Sequence, residues 1–340
     1  MRNLRAIALL FVVAAVSVAT VLYGGVNLAF ADAVTVDVSS SLPVFSVSEG
    51  KNDFVSSTPS SSAVQPSSSA VAAGGKETAL GRVIAKTINP KSAALSYGGV
   101  YMKNSSGAKI DIKTELAAGV KIKLQKSSEP QILIMHTHTT ESYLPEARDY
   151  YTKSDSSRST DNAKNMAAIG DIIAAKVEAA GFGVIHDTTQ HDYPTYSGSY
   201  DRSKKTVNEY LKKYPSIKIV IDVHRDALSD GSNKTKLVTD INGKKAAQVM
   251  LVMGSQTGPV SGYPNWRQNL RLAMQFHKKL ESLYPSLARP MVVASKLYNQ
   301  HLTTGSMLIE IGTDANSLGE AKYSAELVGN ALVALLNDLN

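Results

Sequence analysis

His136, His138 and Glu141 fall within one short stretch, ILIMHTHTTESY, directly after four apolar residues. Imidazole and carboxylate are the donors that hold a divalent metal where thiolates are absent, and the chain has no cysteine. Downstream, IKIVIDVHRDA carries Asp222, His224, Arg225 and Asp226 to the end of a second apolar run, and SMLIEIG sets Glu310 inside a third. Two histidines and one carboxylate leave a fourth position on zinc for a water, whose pKa the metal lowers to about 7. A further carboxylate can then carry protons to and from a reacting amide. His138, Glu141 and His224 supply such a ligand set, and Glu310 supplies the proton carrier. A carboxylate between Ile309 and Ile311 is costly unless it has work or a partner there.

Other groups compete for these roles. His136 and His138 are spaced i, i+2, so in an extended chain both face one side. Asp222 and His224 share that spacing, and Asp222 can fix the tautomer of an imidazole as carboxylates behind metal ligands do. Arg225 is the candidate for holding an oxyanion. Asp161, at the head of the first long helix, is the alternative to Glu141 as third ligand; as a plain helix cap it would contribute roughly 1 kcal/mol. HDTTQHDY gathers His186, Asp187, His191 and Asp192 in one loop, with no third anchor. His277 falls mid-helix near lysines and reads as solvated, and His301 lies in the loop YNQHLTTG. A G-x-S-x-G elbow and a Walker-type phosphate loop are absent.

Groups that converge from the ends of separate apolar runs need strands to carry them, and in open α/β sheets ligands collect at the carboxyl ends of strands. From Gln131 onward strand and helix patterns alternate. ILIM, VIHD, IKIVIDVH and SMLIEIG read as strands. KLVTDINGKKAAQVMLVMG reads as two strands across an Asn242-Gly243 turn. Helices are predicted over 162–180, with Thr160 or Asp161 as cap and Gly181 as stop, over TVNEYLKKY, and over NWRQNLRLAMQFHKKLESLY. Ser317-x-x-Glu320 has capping-box spacing and opens a last helix to about Leu336. The expected fold for 131–340 is α/β, a central mostly parallel sheet flanked by helices.

Residues 78–130 form a small β-containing segment in this reading, with strand-like pieces in GRVIAKTIN, YMKN, AKIDIKT and VKIKLQK. Residues 32–77, rich in Ser, Pro, Ala and Val, read as a flexible linker. Residues 1–31 carry Arg2, Arg5 and an apolar run from Ala6 to Tyr23, which fits either a membrane anchor or a signal peptide cut after Ala29-Phe30-Ala31. Either sends the remainder across a membrane. Net charge is +7, with 13 Lys+Arg against 8 Asp+Glu before Pro130 and 23 against 21 after. The chemistry-bearing part is thus near neutral, without the basic stripe that nucleic acid requires.

HTHTTESY, VIDVHRDA, NWRQNL, ARP, YNQHL and LIEIGTDANSLGEA, in this order, resemble the stage II sporulation protein P family of endospore-forming bacteria, clostridial type. The resemblance runs from about Gln131 to the end, and the layout of apolar start and linker fits it. It implies an amidase-like fold and a zinc N-acetylmuramoyl-L-alanine amidase that acts on peptidoglycan, with endopeptidase activity on peptide cross-links. It implies action during engulfment, between mother cell and forespore, with stage II sporulation proteins D and M as partners. The product would be tethered to the mother-cell membrane or secreted. The resemblance makes His138 and His224 ligands and Glu310 the catalytic carboxylate. In the wider amidase family the remaining ligand is a Glu at the head of the first helix. This sequence has Asp161 near that place and Glu141 earlier, and Glu141 is favoured because it shares one tight segment with His138. The rival reading is a non-catalytic wall- or partner-binding module with a structural metal site, which would have no use for Glu310.

Overall fold

A computed structural model of the chain describes residues 77–340. The apolar start and the Ser/Pro-rich stretch up to Lys76 lie outside the described residues. In chain order come β1 (Ala79–Lys86), β2 (Leu95–Tyr97), β3 (Val100–Asn104), the short helix α1 (Ile112–Ala118) and β4 (Ser127–Met135). β5 (Tyr150–Thr152), α2 (Met166–Ala179), β6 (Phe182–His186), α3 (Ser199–Lys213) and β7 (Ile219–Asp226) follow. The last part holds β8 (Ser229–Asp230), β9 (Asn233–Ile241), β10 (Lys244–Ala247), β11 (Val249–Gly254), α4 (Trp266–Leu283), β12 (Met291–Ala294), β13 (Ser306–Thr313) and α5 (Leu318–Asp338).

The main sheet runs β2-β3-β12-β11-β13-β7-β4-β6. β6, β4, β7 and β13 are parallel to one another, β11 turns antiparallel to β13, and β12 and β3 run parallel to β11. The sheet is therefore mostly parallel, as expected, and its two ends, β2 and β6, stay open. Alternation along the strands sorts the side chains. Ile132, Ile134, Ile219, Ile221, Val223, Ile309 and Ile311 enter one large core with residues of α2, α4 and α5. Leu133, Met135 and Val220 face the other way and pack with Val207 and Tyr210 of α3. Both faces are covered, which is why these strands read as continuous apolar runs.

A second sheet, β10-β9-β1-β5, stands beside the first. The Asn242-Gly243 turn joins β9 to β10, and both turn residues have positive φ, 51° and 75°, as a tight hairpin turn demands. The predicted second strand breaks at Gln248. Its side chain bonds Ile88 N, Ile88 O and Ser286 O, so the chain leaves one sheet there and enters the other as β11.

Four expectations change. The segment 78–130 is woven into both sheets: β3 pairs β12, while β1 lies between β9 and β5. VKIKLQK forms no strand. Leu124 is buried and its N–H donates to Leu339 O, so the alternation reports a buried face with no neighbouring strand to pair. In AKIDIKT, Asp111 caps a helix instead of lying in a strand, its carboxylate accepting from Lys113 N. The helix expected from residue 162 starts at Met166, because buried Asn165 is its cap and accepts from Ala167 N. The Ser317–Glu320 capping box is present as read, at the head of α5.

Candidate active site

The parallel register sets Glu310 of β13 beside His224 of β7, and Leu308 beside Asp222. Asp222, His224 and Glu310 alternate with core residues and so face the α3 side of the sheet. β4 ends at Met135, opposite Asp222, and the chain then turns through residues 137–140. That turn brings His138 to the same side. The rings of His138 and His224 stand 5.3 Å apart, edge to face. Glu141 Oε2 lies 3.6 Å from His224 Nδ1. Asp222 Oδ1 lies 2.8 Å from the other ring nitrogen, Nε2, as an ion-pair contact not aligned for a hydrogen bond. Thus His224 is gripped from behind by Asp222 and turns Nδ1 toward Glu141, the arrangement that orients a metal-binding imidazole.

The hydroxyl residues of HTHTTESY hold this turn in place. Thr137 donates from N and Oγ1 to Asp222, at 2.8 and 2.6 Å. Thr139 Oγ1 donates to Thr189 O, and Thr140 donates from N and Oγ1 to Asp192. Tyr143 OH reaches Ile311 O at 2.8 Å. An isolated bridge between Glu141 and Arg158 ties the turn to the loop after β5.

The predicted residues divide. His138, Glu141, His224 and Glu310 are brought together and are all buried. His136 is not among them. One step past Met135 the alternation carries it to the α2 side, where Nδ1 meets Val223 O at 2.8 Å and Nε2 meets His186 Nε2 at 2.8 Å. The i, i+2 argument fails because the strand ends before His138. Asp161 is half-exposed, pairs with Lys164 and accepts from Ala163 N, so of the two candidates for third ligand only Glu141 stands at the cluster. Arg225 is buried and donates to Ser142 O and Ser157 O, with Glu141 Oε1 3.7 Å from Nη1. It anchors Glu141, and its donors are turned to the carbonyls of Ser142, Asp226 and Ser157. The HDTTQHDY loop serves as a strut. His186 pairs with Asp171, His191 with His136 O and Thr206, and Asp192 with Thr140 and Arg158. His277 is buried rather than solvated, its Nε2 3.1 Å from Arg289 O, because it lies on the apolar stripe of α4. His301 packs against Tyr263.

Two residues at this site gave no sequence signal. Tyr196 stacks on His138, with centroids 4.6 Å apart and planes at 11°. Arg158 lies over the Tyr196 ring, its Cζ 4.6 Å from the centroid. Both depend on loop pairings that no periodicity announces.

Electrostatics sharpens the roles. Burial drives the pKa of His138 down to about 4, helped by His224 and Arg158 and opposed by Glu141, so the ring is neutral. Burial also opposes the charge on Glu141, but Arg225, His224 and His138 outweigh it and hold the carboxyl well below its usual range. For His224, burial is outweighed by Asp222 and Glu141, which raise it well above an ordinary imidazole. Burial, Asp226 and Glu141 push Glu310 up to about 8, against His224 and Arg289. Glu310 Oε2 is buried without a hydrogen-bond partner among the described residues.

His138 Nδ1 is likewise buried and without a partner. With His224 Nδ1 and Glu141 Oε2 it completes a donor set of the type that takes a small divalent cation. Among the described residues no group of three such side chains already stands at metal-holding distances. Asp222 and Glu141 flank His224 and favour its charged form. The residues therefore fit such an ion by the chemistry of the donor set and by the unpartnered nitrogen.

The profile of the family described as stage II sporulation protein P matches residues 47–333. Stage II sporulation protein P of Bacillus subtilis (strain 168) is 29% identical over 205 residues, 57% of this chain and 48% of that protein. The chain thus aligns with about half the length of this relative. Similar solved structures include the N-acetylmuramoyl-L-alanine amidase from Clostridium difficile 630, at 14% identity, 63% of this chain, 100% of that chain and TM-score 0.38. The CwlD amidase from Clostridioides difficile, solved in complex with the GerS lipoprotein, gives 13% identity, 62% of this chain, 98% of that chain and TM-score 0.39.

Proposed function

The chain belongs to the stage II sporulation protein P family, and from that premise and the buried His138–Glu141–His224 cluster we propose that it is a zinc-dependent peptidoglycan hydrolase. The bond cut is the amide between N-acetylmuramic acid and L-alanine. Cross-link endopeptidase activity, export of the chain across the membrane into the space between mother cell and forespore, and work beside stage II sporulation proteins D and M belong to the same reading. The observation that carries it is Glu310: a buried carboxyl beside His224 with Oε2 unpartnered among the described residues suits proton transfer near neutral pH.

His138, Glu141 and His224 would hold the zinc, with Asp222 orienting His224 and Arg225 anchoring Glu141. When bound, zinc supplies the Lewis acid that acidifies a water and polarises the amide carbonyl. Glu310 accepts the proton of the attacking water as its oxygen bonds to the carbonyl carbon. As the carbon–nitrogen bond breaks, Glu310 returns that proton to the departing amine. The carbonyl carbon stays on the glycan as a carboxylate, and the peptide leaves with an ammonium group that carries the second proton of the water.

The test uses the zinc-loaded full chain on purified peptidoglycan, with released products identified by mass. Wild type is expected to free stem peptides with intact N-terminal alanine. Glu310→Ala should retain zinc and lose about 10²–10⁴-fold in rate. A wild type that binds zinc and wall polymer but frees no peptide would overturn the reading in favour of a binding module.

A further inference from the structure

Arg158 has one end fixed and the other open. Its Nη1 pairs with Asp192 Oδ2 and donates to Thr140 Oγ1 at 3.2 Å. The Asp192 side chain is fully buried, so the anchor is rigid. The guanidinium lies over Tyr196, which in turn stacks on His138. Nη2 comes within 3.9 Å of Glu141 Oε1, too far for a hydrogen bond. Its Nε and Nη2 donate to no protein acceptor among the described residues. The Arg158 side chain is 37% exposed, whereas those of Glu141 and His224 are at 6% and 4%.

A guanidinium held this way has its ordering entropy paid in advance, and it presents planar donors at the rim of a site in which Arg225 is already committed to carbonyls and Glu141. Planar paired donors match a carboxylate. We infer that Arg158 binds a carboxylate of the substrate's peptide at the mouth of the site. This rests on the hydrolase reading and adds a specificity to it: an acidic stem over one whose carboxylates are amidated. Tyr196 keeps the guanidinium in plane, and Asp192 sets its direction.

The full chain, wild type and Arg158→Gln, is assayed zinc-loaded on two soluble muropeptides that differ only in free or amidated stem carboxylates. Wild type should show a KM ~10–100-fold lower for the free acid. Arg158→Gln should raise that KM by the same factor and erase the preference, with kcat on both substrates within about threefold of wild type. Arg158→Lys, which keeps charge but loses the fork, should fall between. A variant that still prefers the acid overturns the inference. So does one that loses zinc, or that loses kcat equally on both substrates, since Arg158 would then only brace Glu141. If wild type turns over neither substrate, the hydrolase reading fails by itself. Calorimetric binding of the same two muropeptides then decides the inference: preference for the acid that Arg158→Gln abolishes supports it, and equal affinity overturns it.

Discussion

Glu310 is buried at a cost that no hydrogen bond to Oε2 offsets among the described residues. Its carboxyl sits about 8 in the folded protein against 4.5 for a free one. The folded state therefore holds this proton more tightly than the unfolded state. The stability it supports is complete below about pH 4.5 and is lost as pH rises through about 8. Urea unfolding of the metal-free full chain from pH 5 to 9 should show this as a fall that Glu310→Gln flattens, by up to ~1.4 kcal/mol per pH unit. Identical slopes for the two proteins would mean that Glu310 ionises freely. At this scale the sequence was informative where strands end. His138, His224 and Glu310 were legible because apolar runs lead into them or surround them. His136 was misread because its spacing to His138 assumed a strand that stops at Met135. Arg158 was silent because a backbone bridge to Glu141 and a pairing with Asp192, both between loops, place it at the site.

At the scale of elements, α2 touches the sheet through a glycine. A Cβ on Gly170 would lie 2.2 Å from His186 Nε2 and 2.7 Å from His136 Nε2. Those rings cannot swing aside, since Val223 O and Asp171 hold their far nitrogens. Gly→Ala within an exposed helix gains up to about 1 kcal/mol. Here the sign should reverse, and Gly170→Ala should lose ~1–3 kcal/mol in chemical denaturation. A gain in stability would show that the His136–His186 contact yields. Periodicity placed α2, α3, α4 and α5, and the capping box marked the start of α5, but the start of α2 depends on a single cap, Asn165. It also made a strand of VKIKLQK, because alternation reports which side is buried and not whether a backbone partner exists.

For the whole molecule, the division at residue 130 was the least legible feature. Composition changes there, yet the sheets do not. β2 and β3 extend the main sheet beyond β12, and Val100 and Met102 are completely buried in its core. Each such side chain contributes about 1.5–3 kcal/mol by burial. A chain beginning at Gln131 would also leave β12, β9 and β5 without a strand partner they have here. That fragment is expected to be insoluble or to unfold without a cooperative transition, whereas the full chain should show one by calorimetry. A cooperative fragment would restore the boundary at 130.

HTHTTESY is among the more hydrophilic stretches of the chain, and none of its residues exceeds 6% exposure. Its threonines, serine and tyrosine all donate to fixed acceptors on other segments. A hydropathy profile would assign the segment to the surface, where loops open and close on their own. In terms of hydrogen exchange it belongs with the core. Its amide protons can reach solvent only when the strands beneath it let go, so the ligand-bearing turn and the sheet share one opening free energy.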